Sequence, residues 1–355
     1  MVGFSFNKGG VESYISNLCS NLNTEEFEII YSMPQMVING KTWIAPPNRH
    51  NPFKYLSFWN RFFKENSFDV LYYNTCDIVS IDMLKFAKKA GIPVRIIHSH
   101  STGIQQAIQK KMNPIHAFWE KKNHSELDKY ATHFWACSEA AGKWMFDMRD
   151  FTIIKNGVDL RKYKFSSDYR QKCRDELNIG EELLVGCIGR LAPEKNLFYG
   201  IQVFETVLKK KREATLVFIG DGELRSNLKE ETHKRGLEDK IRFLGAQDNI
   251  YEWMSAIDCL LMPSFFEGLP FVLVEAQAEG LSCVVSSAVS EEANLTGLVE
   301  YIGLDEESEV WANKILEVCR KERLDTTRQL IEAGYSIENT AKMVSEIIKK
   351  SIEKD

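Results

Sequence analysis

The sequence has no apolar run approaching the roughly eighteen residues that a membrane-spanning helix needs, so it is not expected to cross a bilayer as a helix. It has no Cys-x-x-Cys pair. Its eight cysteines, Cys19, Cys76, Cys137, Cys173, Cys187, Cys259, Cys283 and Cys319, are scattered, most of them in apolar stretches such as LLVGCIG. A thiol there behaves as a small hydrophobe, which fits a reducing compartment better than a disulfide framework. There is no Gly-x-Gly-x-x-Gly fingerprint, which argues against a nicotinamide dehydrogenase, and no Asp-x-Asp to hold a divalent ion. There is also no large excess of either charge. Forty-five basic residues against fifty acidic ones give a net charge of -5, too mild for a nucleic-acid partner. With no basic-then-apolar leader, a cytoplasmic location is expected.

What is there is a chain of 355 residues, 44% hydrophobic and 27% charged, enough for two domains with separate cores. Short β-rich runs alternate with helix-period segments, which predicts βαβ units and parallel sheets. Strands are expected near Val2–Phe6, Phe27–Met33, Val70–Tyr73, Val94–Ile97, Phe134–Cys137 and Thr152–Lys155. A second series falls at Leu183–Ile188, Leu216–Ile219, Ile241–Leu244, Cys259–Met262 and Cys283–Ser286. The polar segment Tyr163–Gly180 reads as a linker, giving domains over 1–164 and 165–336. Residues 337–355 form a last helix whose stripe of Ile337, Ala341, Val344, Ile348 and Ile352 is expected to pack back on the first domain. Residues 1–164 hold 21 basic and 15 acidic side chains and the remainder 24 and 35, so the charge is split between the halves.

Three turns carry possible chemistry. Gly9-Gly10 follows the first expected strand and opens a helix, where backbone N–H groups can approach an anion. Gly189-Arg190-Leu191-Ala192-Pro193-Glu194-Lys195-Asn196 places two cations between a strand and a helix, suited to a diphosphate; two solvated charges are the plain alternative. In Pro263–Ala276, Glu267 and Gly268 lie in a loop, Leu269 follows, and Pro270 stands at the expected first helical position. Glu275 then falls in the apolar stretch VLVEAQA. A carboxylate there needs a partner, either a sugar hydroxyl or a core arginine. Finally His98 and His100 end a strand and project to one side of it, without a third ligand at metal spacing.

Taken in order, these residues resemble the family 4 retaining glycosyltransferases of the GT-B fold, in the branch that builds capsular polysaccharides and exopolysaccharides. Glu267-x7-Glu275 is similar to the family's E-x7-E signature, GRLAPEKN to its phosphate-binding turn, and Asn156-Gly157-Val158-Asp159 to the run closing its first domain. The resemblance implies two doubly wound Rossmann-like domains facing across a cleft. It also implies a nucleoside-diphosphate sugar donor, UDP-linked, and a saccharide or polyprenyl-linked acceptor. Gly9, Gly10, Gly189, Arg190, Lys195, Glu267, Gly268, Leu269, Pro270 and Glu275 would bind the donor, with Arg190 and Lys195 on the diphosphate, Glu275 on the ribose and Glu267 on the sugar. Glu267, Arg190, Lys195 and His100 would form the catalytic set, His100 touching the sugar. No cofactor and no metal are expected.

Two further expectations follow. A GT-B sugar-nucleotide epimerase and a non-catalytic GT-B subunit are the alternatives to a transferase; an assay that requires an acceptor argues against the first, and the intact set of Glu267, Glu275, Arg190 and Lys195 against the second. The basic first domain is expected to dock peripherally on an anionic membrane surface, at the inner face of the cell membrane. The candidate stretches are Lys54, Arg61 and Lys64 among aromatics, and Lys110, Lys111, Lys121 and Lys122 around Trp119. The alternative is that Tyr55, Trp59 and Phe62 belong to the core.

Overall fold

The computed structural model describes residues 9–32, 43–44, 46–47, 51–103 and 113–353. The chain divides into two compact units, residues 1–157 with 337–355, and residues 158–336.

In the first unit, Gly10–Asn21 forms α1, the pairs Tyr31–Ser32 and Trp43–Ile44 form the short parallel strands β1 and β2, and Pro52–Glu65 forms α2. Then come β3 (Val70–Thr75), α3 (Asp82–Lys89), β4 (Val94–Ser99), α4 (Pro114–Tyr130), β5 (His133–Ala136), α5 (Glu139–Phe146) and β6 (Thr152–Ile153). β3 to β6 lie side by side in chain order, all parallel, with Asn74 of β3 opposite His98 of β4. Leu71, Tyr72, Tyr73 and Asn74 are all buried, as expected of a parallel strand covered on both faces. α2 starts at an Asn51 cap, whose Oδ1 accepts from Lys54 N at 3.1 Å, an arrangement worth about 1 kcal/mol.

Two expectations are corrected in this unit. Of Phe27–Met33, only Tyr31–Ser32 is strand among the described residues; Val2–Phe6 lies outside them. The aromatics Tyr55, Trp59 and Phe63 of α2, four residues apart, are buried in the core, and Phe62 packs against it. That face is committed to packing, which leaves only Phe53 and Leu56 exposed among the large apolar residues of α2.

The second unit opens with α6 (Ser167–Glu176) and continues through β7 (Leu183–Ile188), α7 (Leu197–Lys210), β8 (Ala214–Ile219), α8 (Arg225–Lys234), β9 (Ile241–Gly245) and α9 (Ile250–Ala256). It proceeds through β10 (Cys259–Met262), α10 (Phe271–Ala278), β11 (Cys283–Ser286), β12 (Val299–Ile302), α11 (Ser308–Val318) and α12 (Thr327–Glu332). The sheet order is β12-β11-β10-β7-β8-β9, every pairing parallel. After β7 the chain winds one way to β8 and β9, then returns to β7's other side as β10. Between β7 and β10 lies the switch point, where the crevice outside the strands' carboxyl ends accepts ligands in such sheets.

The expected linker Tyr163–Gly180 is instead part of this unit. Ser166 caps α6, its Oγ accepting from Tyr169 N at 3.3 Å, and Cys173 and Arg174 are buried. Arg174 donates to the carbonyls of Gly180 and Ala256 at 2.8 and 2.9 Å, and Arg170 pairs with Asp258 at 2.9 Å, so a polar helix is held by cations that meet backbone oxygens and a carboxylate. The division at 157/158 falls earlier than the expected 164/165 because Val158, Leu160 and Tyr163 pack with Met254, Val274 and Tyr335. Strand β12 had no counterpart in the sequence reading. Pro270 occupies the capping position rather than the first helical one.

The last helix, α13 (Ile337–Ile352), belongs to the first unit and packs on α1. Ile337, Ala341, Val344 and Ile348 are buried, whereas Ile352 is exposed, and Lys349 is ion-paired with Glu26 at 2.6 Å.

Candidate functional site

The second unit places two turns at its switch point. β7 ends at Ile188, and Gly189 then adopts φ 138°, a left-handed conformation that a side chain would strain. Arg190 follows, exposed, with its guanidinium paired to Glu194. A single 3-10 turn, Pro193–Lys195, and a left-handed Asn196 (φ 51°) lead into α7. The Lys195 ammonium, largely buried, is ion-paired with Glu267 in the turn after β10. Buried Ser264 also donates to Glu267 Oε1 at 3.2 Å, and Phe265 N donates to Glu194 O at 2.8 Å. The two turns, far apart in sequence, are therefore fastened to each other by side chain and backbone.

Each cation assigned to the diphosphate thus has a carboxylate beside it, Glu194 for Arg190 and Glu267 for Lys195. A third turn, Gly220-Asp221-Gly222 after β8, supports the first one and was not singled out in the sequence. A Cβ on Gly220 would fall 1.9 Å from Gly189 O, and one on Gly222 2.4 Å from Leu191 O. Two glycines directly after a strand were the available signal.

Glu275 is half-buried on α10. Burial pushes its carboxyl above the usual carboxylate range, opposed by the Tyr163 hydroxyl and, at longer range, by Lys162. Its neighbour is therefore a phenol rather than the core arginine that the sequence left open. Leu269, ahead of the helix, packs against the apolar clusters beneath. Gly268 and Pro270 lie with it in the same turn.

The first unit holds a separate group of residues. Gly9 N–H donates to Glu12 Oε2 at 3.1 Å, closing the start of α1 over Gly9-Gly10. At the carboxyl end of β4 the rings of His98 and His100 are 4.0 Å apart, on one side of the strand as their spacing requires. His98 is fully buried; its Nδ1 meets Tyr72 Oη at 2.7 Å, and Tyr72 Oη meets Tyr14 Oη at 3.3 Å. His100, half-buried at the strand's end, has Nε2 2.9 Å from Asn74 Oδ1. Burial holds His98 well below the usual imidazole range and His100 down to about 3, so both rings are neutral. Tyr14, Tyr72 and Asn74 carry no motif, and only their register beside the histidines identifies them.

On α4, Ile115, Phe118 and Trp119 are exposed, and Lys122 Nζ sits 4.9 Å from the Trp119 ring centre. Lys110 and Lys111 lie outside the described residues. No helix among the described residues is long and apolar enough to cross a membrane, and none of their His, Cys, Asp or Glu side chains group in threes as metal ligands.

Residues 169–337 match the family described as Glycosyl transferases group 1. The putative glycosyltransferase EpsF of Bacillus subtilis is similar to this chain at 27% identity, over 98% of this chain and 95% of its own. The Escherichia coli UDP-Gal:alpha-D-GlcNAc-diphosphoundecaprenol alpha-1,3-galactosyltransferase is 30% identical over 145 residues, 40% of this chain and 38% of that one. Among solved structures, Anabaena Alr3699/HepE in complex with UDP and glucose matches with a TM-score of 0.71 at 18% identity, covering 99% of this chain and 97% of that chain. That likeness carries the fold, GT-B.

Proposed function

We propose, from the match of residues 169–337 to the group 1 glycosyltransferases, that this chain moves a sugar from a UDP-linked donor to a saccharide or polyprenyl-linked saccharide acceptor during capsule or exopolysaccharide assembly, with retention of configuration and without a metal. The observation that carries the reading is the Lys195–Glu267 contact, which joins the phosphate-type turn to the acidic motif at the switch point. The UDP and glucose in the HepE structure and the lipid-linked acceptor in the galactosyltransferase's name support the choice of donor and acceptor.

The chemistry follows from charge. Breaking the anomeric C–O bond leaves negative charge on the departing diphosphate and positive charge on the sugar ring. Arg190 and Lys195 are assigned to the first. When the diphosphate arrives, Lys195 exchanges a carboxylate for a phosphate oxygen, and Glu267 is released to accept from hydroxyls of the transferred sugar. Glu275 accepts from the ribose hydroxyls, Gly9 and Gly10 approach the donor through their backbone, and His100 contacts the sugar. The acceptor attacks from the face the diphosphate leaves, and the departing phosphate takes the acceptor's proton. The exposed Ile115, Phe118 and Trp119, with Lys121 and Lys122 on the same helix, are proposed to rest on an anionic membrane, bringing the enzyme to lipid-linked acceptors.

Thermal stabilisation by a panel of nucleotide-sugars identifies the donor, and the product's anomeric configuration is then read by NMR. An inverted product, or activity lost in EDTA and restored by a divalent ion, overturns the mechanism. Product formation without an acceptor points to the epimerase instead.

A further inference from the structure

Once Lys195 has moved to the diphosphate, Glu267 is left to face the transferred sugar without its ion pair, and a glutamate side chain turns about several bonds. What still holds it lies three residues earlier in the same turn. Ser264 is fully buried after β10, and its Oγ lies 3.2 Å from Glu267 Oε1, the oxygen that Lys195 also meets. A carboxylate has no proton to give, so the serine hydroxyl donates. We propose that Ser264 is a positioning residue for the transfer, anchoring Glu267 through Oε1 so that Oε2 is presented to a hydroxyl of the sugar after Lys195 has left.

Three observations support this. Both protein contacts fall on one oxygen of the carboxylate. The other, Oε2, takes no hydrogen bond among the described residues and is not sealed from solvent, with 16% of the Glu267 side chain exposed. The serine is itself held, because Ser286 Oγ at the end of β11 donates to Ser264 O, and among the described residues Glu267 is the one acceptor that its hydroxyl meets. The backbone of Glu267 is fixed independently of its side chain, by a parallel bridge to buried Val289 and by Ser290 N, which donates to Glu267 O at 3.4 Å. With the main chain and one carboxylate oxygen both anchored, the second oxygen keeps its place while Lys195 exchanges one partner for another.

The proposal rests on the reading of Glu267 as a contact of the transferred sugar, and the experiment separates the two. Ser264→Ala, Glu267→Ala and the double variant are compared with the wild type by UDP release from whichever of UDP-glucose, UDP-galactose and UDP-N-acetylglucosamine it turns over, and by calorimetry with UDP alone. Ser264→Ala is expected to lower kcat roughly tenfold, with UDP affinity within about twofold because UDP carries no sugar to contact. Loss of a donor to the charged carboxylate should also move the acidic limb of its kcat profile to higher pH. In the double variant the serine has nothing to hold, so the rate is expected to stay within about twofold of Glu267→Ala alone. Wild-type kcat in Ser264→Ala, with Glu267→Ala impaired, overturns the positioning role and leaves the reading of Glu267 standing. Wild-type kcat in Glu267→Ala removes that reading and the positioning role with it. A lowered kcat in Ser264→Ala with an unmoved acidic limb, or a further loss of about tenfold when the change is added to Glu267→Ala, reduces Ser264 to a packing residue of the turn.

Discussion

Lys195 and Glu267, seventy-two positions apart, form an ion pair in which both side chains are more than four-fifths buried. Lys195 ends the 3-10 turn that follows β7, and Glu267 sits in the loop that follows β10. The pair fixes two loops at the switch point of the sheet, where ligands bind in such folds. It also keeps each charge compensated while no donor is present, avoiding the penalty of a lone desolvated ion.

Removing either cation should slow the reaction. Lys195→Ala and Arg190→Ala are each expected to lower turnover by roughly a hundredfold, the scale of losing one charge-stabilising donor. Lys195→Ala also leaves Glu267 without its partner. Adding Glu267→Gln should therefore recover stability, by about 1 kcal/mol in a double-mutant cycle, while leaving turnover low. Additive stabilities in urea titration would contradict the coupling, and near-normal turnover in either single variant would contradict its assignment.

The two acidic residues should separate in a binding measurement. Glu275→Ala is expected to weaken free UDP by roughly tenfold or more in calorimetry, because it removes an acceptor for the ribose. Glu267→Ala should bind UDP within a few fold of the wild type and lose transfer. Equal losses of UDP affinity in both variants would contradict the division.

Stability should depend on pH through Glu279, which caps the end of α10 and is almost fully buried. Its Oε2 accepts from Ser255 Oγ at 3.0 Å, its Oε1 has no hydrogen-bond partner among the described residues, and burial pushes it up to about 7 against the pull of Arg323. A carboxyl raised in the folded state contributes fully below its ordinary range and loses that contribution as pH rises through about 7. Between pH 5 and 8.5 the wild type should lose on the order of 2 to 3 kcal/mol through this group. Glu279→Gln should flatten that slope. Denaturant titrations at several pH values check it, and parallel slopes would refute it.

Membrane docking through α4 has a defined signature. Binding to anionic liposomes should fall as salt rises, and should drop severalfold or more when Phe118→Ser, Trp119→Ser and Lys122→Glu are combined, because both apolar insertion and charge attraction are lost. The combination Lys54→Glu, Arg61→Glu and Lys64→Glu on α2 should cost less, since Tyr55, Trp59 and Phe63 are turned into the core. Salt-independent sedimentation would remove the electrostatic role.

The strands around the switch point were legible because they are continuous apolar runs between turn residues: Leu183–Ile188, Cys259–Met262 and Cys283–Ser286 have the bounds the sequence gives. Helix α6 was not, because Ser167–Glu176 has no apolar stripe and is held by Arg174 through backbone carbonyls, a contact no periodicity encodes. The aromatics of α2 show the ambiguity of an amphipathic pattern, for i, i+4 spacing marks a buried face equally well whether the cover is protein or lipid. Arg190, Lys195, Glu267, Glu275 and His100 were each singled out through a local motif. Their neighbours Tyr14, Tyr72, Asn74 and Tyr163 were not, since they act by lying on an adjacent strand or helix, and adjacency is a property of the fold.

The second unit is one uninterrupted stretch of chain, whereas the first is assembled from residues 1–157 and 337–355. During synthesis the second unit therefore has all its residues while the first still lacks the helix that covers α1. Tyr14, Ile15 and Leu18 lack that cover until residues 337–355 have left the ribosome. A chain that stops short of Ile337 would present an apolar helix face to solvent, and such a product is a substrate for chaperones and proteases before it is an enzyme.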